Sequence, residues 1–388
     1  MMRKITVGID VGTYATRVVV CEYVKESQLP IILGTGTAES RGMRHGYIVN
    51  AHEAVKSVKR ALAEAEKASG VTIKQVLASI GGISLKSDVG VGSAIISKAD
   101  GDVTALDVEK AIKESEQSLA IANRRIVFQN LISCKLDSKE VLGRPEGMRG
   151  IKLEARVLFV TALNQHLEDL ESVLLEAGIE VLDFLPSPMA ASMIALTDRQ
   201  KTVGVALVNI GAETVSLAVY ENSICIGLHI FSIGSTDITN DIALGLKIPL
   251  EEAESIKIGT TIGNYPKKKL DEIIEARLSD ILELIENYLK KIKRNELLPA
   301  GIIITGGGAG IPIIEEMAKS VLRLPTKIGS GEMVTVARGK LRDSSWFVSY
   351  GLTILGQHNQ TSIGTTGLDD FVKNTKRGMN SFFKQFLP

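Results

Sequence analysis

Residues 7–23 read "VGIDVGTYATRVVVCEY", and residues 206–222 read "ALVNIGAETVSLAVYEN". In each, a β-branched strand reaches a polar residue, Asp10 or Asn209, and a glycine follows two positions later, Gly12 or Gly211. Polar residues and a second β-rich run then end at a matched Glu22 or Glu221. This is a pair of strands joined by a tight glycine turn, used twice about 200 residues apart. It predicts two α/β lobes facing each other across a cleft.

A third element fixes what the cleft is for. "LPAGIIITGGGAGIPIIEEMAKSVL" carries a buried-type strand at Ile302 to Ile304, the glycines Gly306, Gly307 and Gly308, and a helix entered through Pro312. Glycines there let the backbone approach a ligand, and amides near a helix start favour anionic groups. In this arrangement the amides of Gly12, Thr13 and Tyr14 and of Gly211, Ala212, Glu213 and Thr214 wrap the β- and γ-phosphates from opposite lobes. Asp10 holds Mg2+ through water, and the triple-glycine loop lies against the adenosine of ATP. The expected fold is the α/β nucleotide fold shared by actin, Hsp70 and sugar kinases.

Composition excludes several other classes. The 388 residues are 45% apolar and 23% charged, with Lys plus Arg balancing Asp plus Glu at 45 each, so no basic excess points to nucleic acid. Cys21, Cys134 and Cys225 are scattered and without CxxC spacing, which predicts reduced core thiols. The start, "MMRKITVGID", passes straight into a strand without an apolar secretory region. No stretch has the length of a transmembrane helix, and a cytoplasmic protein is expected. His45, His52, His166, His229 and His358 show no ligand or triad spacing and are read as structural.

Several longer motifs carry a more specific likeness. "GIDVGTYATRVVV", "RGMRHGYIVNAHEAVKSVKRALAEAE", "GMRGIKLEARVLFVTA", "AGIEVLDFLPSPMAASMIAL", "DITNDIALGLKIPLEEAESIK" and "LPAGIIITGGGAGIP" follow one another along nearly the whole chain. In order and spacing they resemble the FtsA family of bacterial actin-like division proteins.

The resemblance implies subdomain 1A at 1–83 and 163–196, and an inserted subdomain 1C at 84–162. Subdomain 2A takes 197–237 and 297–356, and 2B takes 238–296. A flexible linker at 357–367 and an amphipathic membrane-targeting helix at 368–388 complete the layout. Within the insert, Leu106, Val108, Ala111, Ile112, Ser115 and Leu119 have helical spacing, and the apolar residues of 270–293 make an amphipathic helix in 2B. The resemblance also implies that Glu254 and Lys257 contact the adenosine.

Three departures from the family pattern bear on hydrolysis. The second turn reads "NIGAET", so Asn209 replaces the usual Asp, and Glu213 places a side chain where a triphosphate is expected to pass. Ala15 stands where a Lys is common, with Arg17 on the same face of the strand in reach of that role. Ser187 precedes Pro188 where an acidic residue is usual, removing the carboxylate that would orient an attacking water. ATP binding with slow or absent hydrolysis is expected.

The last eighteen residues hold four of the nine Phe and no acidic side chain. Phe371, Thr375, Met379, Phe382, Phe383 and Phe386 fall on one helical face, with Leu387 beyond, and Lys373, Lys376, Arg377 and Lys384 border or oppose it. This is the profile of a helix lying in a membrane interface. Each basic residue near an anionic leaflet adds about 1 kcal/mol, and each fully buried large apolar side chain about 1.5 to 3 kcal/mol. Gly378 costs about 1 kcal/mol in a helix, which fits one that forms on binding.

The resulting expectation is a polymerising, ATP-binding scaffold on the cytoplasmic face of the membrane at the division site. The tail predicts an anionic membrane surface as a partner, and the resemblance implies the C-terminal tail of FtsZ, other copies of the chain and further division proteins. Two alternatives remain open: a pilus-assembly actin-like module that binds an inner-membrane partner's cytoplasmic tail, and a small-molecule kinase, for which no catalytic Asp with supporting neighbours is found.

Overall fold

The computed structural model describes residues 4–23, 30–260, 265–330 and 343–361. The tail residues from Phe371 to Leu387, read above as membrane-binding, lie outside the described residues, as does the linker from 362 onward.

The chain opens with β1 (Lys4–Val11), β2 (Ala15–Tyr23) and β3 (Ile31–Glu39), a meander of antiparallel pairs. A small hairpin, β4 (Met43–Arg44) and β5 (Tyr47–Ile48), leads to α1 (Ala51–Ser69), and β6 (Gln75–Ile80) returns parallel to β1. Asn50 caps α1 by accepting from the Glu53 N–H, and Gly70 ends it in the left-handed conformation.

The chain then leaves this sheet to build another from β7 (Lys86–Ile95), β8 (Arg124–Leu136), β9 (Lys139–Val141) and β10 (Lys152–Leu163), ordered β7-β10-β8-β9. Helix α2 (Ala105–Gln117) packs on it, with Val108, Ala111 and Ser115 buried. The helix ends before Leu119, and Leu106 is 54% exposed, so neither sits as the helical spacing predicted. The residue after Leu106 decides the facing. Asp107 is fully buried, because its carboxylate accepts from Thr104 and Ser97 in a capping box.

The first sheet is completed by α3 (Asn164–Glu176) and by β11 (Glu180–Pro186), which lies parallel to β6. Two helices, α4 (Ser187–Ala195) and α5 (Asp198–Val203), cross to the second lobe. There β12 (Val205–Ile210), β13 (Val215–Glu221) and β14 (Ile224–Phe231) repeat the opening meander. Helices α6 (Ser235–Leu246), α7 (Leu250–Lys257) and α8 (Lys267–Lys291) follow. Strand β15 (Ile302–Thr305) returns parallel to β12, and a short 3-10 turn at Gly307–Gly310 precedes α9 (Ile314–Leu322) and β16 (Thr326–Ile328). After a 3-10 turn at Ser344–Trp346, α10 (Phe347–Thr361) packs back on the first lobe. Its backbone stays helical five residues into the segment read as a linker from 357.

The two large sheets have one topology. The first is ordered β11-β6-β1-β2-β3, and the second, taken from its other edge, β16-β15-β12-β13-β14. The sequence repeat is therefore a repeat of a whole lobe. Strand β12, "VALVNI", is buried on both faces, as a continuous apolar run requires. Val205 and Leu207 join the core of the first lobe, while Ala206, Val208 and Ile210 join Leu278, Ile281 and Ile285 of α8. The three cysteines are buried and free.

Candidate functional site: a cleft between matched glycine turns

Both hairpins close with the same geometry. Val11 pairs with Thr16 and Ile210 with Val215, which leaves four-residue turns at 12–15 and 211–214. A Cβ on Gly12 would lie 3.0 Å from the Ala15 carbonyl oxygen, and one on Gly211 would lie 3.0 Å from that of Thr214. That contact is tight in both turns, so glycine is favoured for the same steric reason twice.

The turns face each other across a cleft of about 770 Å3, within the usual range for a small-molecule site. Of the residues singled out from the sequence, Asp10, Gly12, Thr13, Tyr14, Gly211, Ala212, Thr214, Glu254, Gly306 and Gly307 line it. Three do not. Gly308 is buried against Ile210, where a Cβ would come 2.3 Å from the side-chain methyl. Lys257 is 4% exposed, its Nζ donating to Glu254 Oε2 at 2.7 Å, Thr239 Oγ1 at 2.9 Å and the Ser235 carbonyl at 3.1 Å. It therefore ties α7 to α6 and holds Glu254, rather than reaching the cleft. Glu213, expected in the path of a triphosphate, is turned away: its Oε2 accepts from the His45 N–H at 2.5 Å.

Ser79, which the motif reading missed, and Arg17, which it placed in reach of the cleft, complete the walls. Ser79, at the end of β6, donates to Asp10 Oδ1 at 2.5 Å. Burial pushes the Asp10 carboxyl above its ordinary value, while the Ser79 hydrogen bond and the charge of Arg17 pull it back. Arg17 is the cross-strand partner of Asp10; it lines the cleft with its guanidinium 5.8 Å from the centre of the Trp346 ring. A signal for Ser79 was present, since "SIGG" at 79–82 closes β6 as "TGGG" at 305–308 closes β15.

The second turn is pinned from behind. Ser235 N and Thr236 N, at the start of α6, donate to the carbonyls of Gly211 and Ala212 at 2.9 and 2.8 Å. Because a peptide carbonyl and its N–H point in opposite directions, the amides of Ala212 and Glu213 point away from α6. His166 also lines the cleft. Its Nε2 donates to the Gly46 carbonyl at 2.9 Å, which makes Nδ1 the acceptor from Ser84 Oγ at 2.6 Å.

The residues present fit an anionic ligand that brings its own metal. Backbone turns face the cleft from both sides, Arg17 supplies a cation, and Asp10 supplies a hard oxygen. Gly306, with φ +87°, packs directly on β12 at the cleft wall, where a Cβ would lie 2.3 Å from Asn209 Oδ1. Ser345 Oγ is buried beside the cleft without a hydrogen-bond partner, so a polar group remains to be satisfied there. Among the described residues no cluster of three His, Cys, Asp or Glu could hold a metal by itself.

Two sheets of one topology, with glycine turns opposed across a cleft, define an actin-like ATPase fold. The chain is similar in structure to the PilM-PilN type IV pilus biogenesis complex, with TM-score 0.69 and 15% identity over 90% of this chain and 98% of that one. It is also similar to MreB5 of Spiroplasma citri bound to ADP, with TM-score 0.55 and 14% identity over 94% and 99% of the two chains. Within that class the sequence points to one group. The model of the family described as "Cell division protein FtsA" matches residues 206–351. Cell division protein FtsA of Pseudomonas aeruginosa is 29% identical over 381 residues, covering 92% of this chain and 90% of its own. Over most of its length the chain is thus similar in sequence to FtsA cell division proteins, on an actin-like fold.

Proposed function

We propose that this protein is an ATP-binding, self-polymerising scaffold that tethers FtsZ filaments, through their C-terminal tails, to the inner face of the cytoplasmic membrane at the division site. The observation that carries the nucleotide part is the pair of sterically matched glycine turns facing one cleft, with Asp10 and Arg17 between them. In this reading the turn amides of Gly12 to Tyr14 and Ala212 to Thr214 hold the phosphates, and Gly306 and Gly307 lie along the adenosine. Asp10 holds Mg2+ through water, and Arg17 offsets phosphate charge. A bound metal ion supplies charge neutralisation of the phosphates. Asn209 and Ser187 carry no charge at the two cleft positions where a carboxylate would orient a water, so slow or absent hydrolysis is expected. The structural likeness to MreB5 bound to ADP supports the same reading of the cleft.

The layout of 1A, 1C, 2A and 2B given above is part of the proposal. The inserted sheet, β7 to β10, would be 1C, and α6 to α8 would form 2B. The membrane part rests on the aromatic and basic tail from Phe371 to Leu387. A second reading, a pilus-assembly module that binds an inner-membrane partner, is favoured by the likeness to the PilM-PilN complex but not by the family match.

The deciding experiment is co-sedimentation with anionic and with neutral liposomes, with and without Mg·ATP, comparing the full chain with one ending at Gly367. The scaffold reading expects the full chain to pellet with anionic liposomes and the shortened chain to stay in solution. If both stay in solution throughout, the tail docks on protein and the pilus-type reading replaces it.

A further inference from the structure

The turn between β4 and β5 reaches from the first lobe to the second. His45 N donates to Glu213 Oε2 at 2.5 Å, and His45 Nδ1 lies 3.1 Å from the Glu213 carbonyl oxygen. A carbonyl only accepts, so in this contact Nδ1 carries the proton. The next amide, Gly46 N, donates to Thr13 Oγ1 at 3.0 Å. Two consecutive backbone N–H groups of one loop therefore hold one residue from each glycine turn, Thr13 in the first lobe and Glu213 in the second.

The loop that does this is fixed to the first lobe. His45 and Gly46 both have positive φ, +48° and +83°. Gly46 packs so closely on Gly82 that a Cβ there would lie 2.4 Å from the Gly82 Cα. The Gly46 carbonyl is also bonded to His166 Nε2. Behind Glu213 the second turn is as firmly held, through the bonds from α6 to Gly211 and Ala212. A bond between two such rigid parts fixes the separation of the turns.

We infer that Glu213 is a positioning residue. Its carboxylate, fastened to the His45 N–H, sets the spacing of the two turns and is the clasp that must open for a nucleotide to enter or leave. This rests on the nucleotide reading above and deepens it. Glu213 is one of the residues that departs from the family pattern, and the structure gives it a use: its charge is engaged by the first lobe instead of facing the phosphates.

The test uses the full chain, a fluorescent ATP analogue with Mg2+, and stopped-flow release on chasing with unlabelled ATP. Glu213→Ala removes the acceptor and is expected to release nucleotide roughly tenfold faster or more, the scale of a hydrogen bond to a charged group. Glu213→Gln keeps an oxygen for the same N–H and is expected to restore slow release, which a change in net charge alone would not do. Thermal melting within a few degrees of wild type establishes that the variants are folded. Amide hydrogen exchange of the nucleotide-free chain reads the clasp without any ligand: residues 43–48 should be protected in wild type and Glu213→Gln, and should exchange faster in Glu213→Ala. Equal release rates for wild type and Glu213→Ala, or no protection in wild type, overturn the clasp. A wild-type chain that binds no labelled nucleotide instead sinks the nucleotide reading, and this role with it, whatever the exchange pattern.

Discussion

The hydroxyl of Ser79 and the carboxylate of Asp10 lie side by side at the ends of parallel strands, 2.5 Å apart, with serine as the donor. Ser79 is 4% exposed, so water is a poor replacement for its hydroxyl. The bond fixes one oxygen of Asp10 and leaves the other, Oδ2, on the side of Gly12.

Removing that hydroxyl should loosen the carboxylate. Ser79→Ala is expected to weaken Mg·ATP binding by about 1.5 to 3 kcal/mol, the range for hydrogen bonds to charged groups. Ser79→Thr, which keeps the donor, should retain most of the affinity. Isothermal titration of both variants checks this, and unchanged affinity in Ser79→Ala would remove Ser79 from the site.

Lys257 is expected to matter for stability rather than for direct contact with ligand. Two of its hydrogen bonds join α7 to α6 and a third holds Glu254 within α7, all from a position almost closed to solvent. Lys257→Met should lower unfolding stability by about 1.5 to 3 kcal/mol, measured by urea denaturation. A variant as stable as wild type would mean that these bonds exchange freely for water.

Thiol chemistry should report an intact fold. Burial pushes the Cys21 thiol up to about 12, Cys134 to about 11 and Cys225 to about 12. The thiolate is the reacting form, so the native protein should resist iodoacetamide at pH 8 and take up three labels once unfolded. Labelling of the native chain, counted by mass spectrometry, would contradict the burial.

Acid should weaken the fold through His166. Burial holds this imidazole below its ordinary value, despite the opposing bond to Gly46. A group with a depressed folded pKa binds protons more readily when unfolded. Its contribution is therefore fully present above the unfolded value of about 6.5 and is lost as the pH falls through the folded one. Urea midpoints from pH 8 to pH 5 should fall with this sign, and His166→Gln should flatten part of the fall. An identical profile in the variant would assign the effect elsewhere.

What the sequence made legible was local. Gly12 and Gly211 could be found because a glycine between two β-branched runs is a short-range pattern, and the common fold followed from its repetition. The sheet order was not legible, because β6 and β15 enter beside β1 and β12 only through pairings between residues far apart in the chain. Glu254 and Lys257 sit three residues apart on one helix, and only packing against α6 decides that the first lines the cleft while the second is buried. Glu213 was misread for a similar reason: its partner, His45, is 168 residues away. Five histidines without ligand spacing looked uniformly structural, yet His166 lines the cleft and His45 spans it. The polar run after Gly356 resembled a linker, although the helical backbone of α10 continues to Thr361.

The third sheet is held by both lobes. Chain continuity joins it to the first, while Ser87 on β7 bonds the Leu228 carbonyl at 2.6 Å and Asn130 on β8 bonds that of Cys225 at 3.4 Å, both on β14 of the second. Tyr288 of α8 meets the same Leu228 carbonyl at 3.2 Å. A rotation of one lobe against the other must therefore either shear these contacts or drag the sheet along. Where the contacts hold, the outer face of that sheet, with Val91 and Ile95 exposed, would swing with the second lobe as the cleft opens.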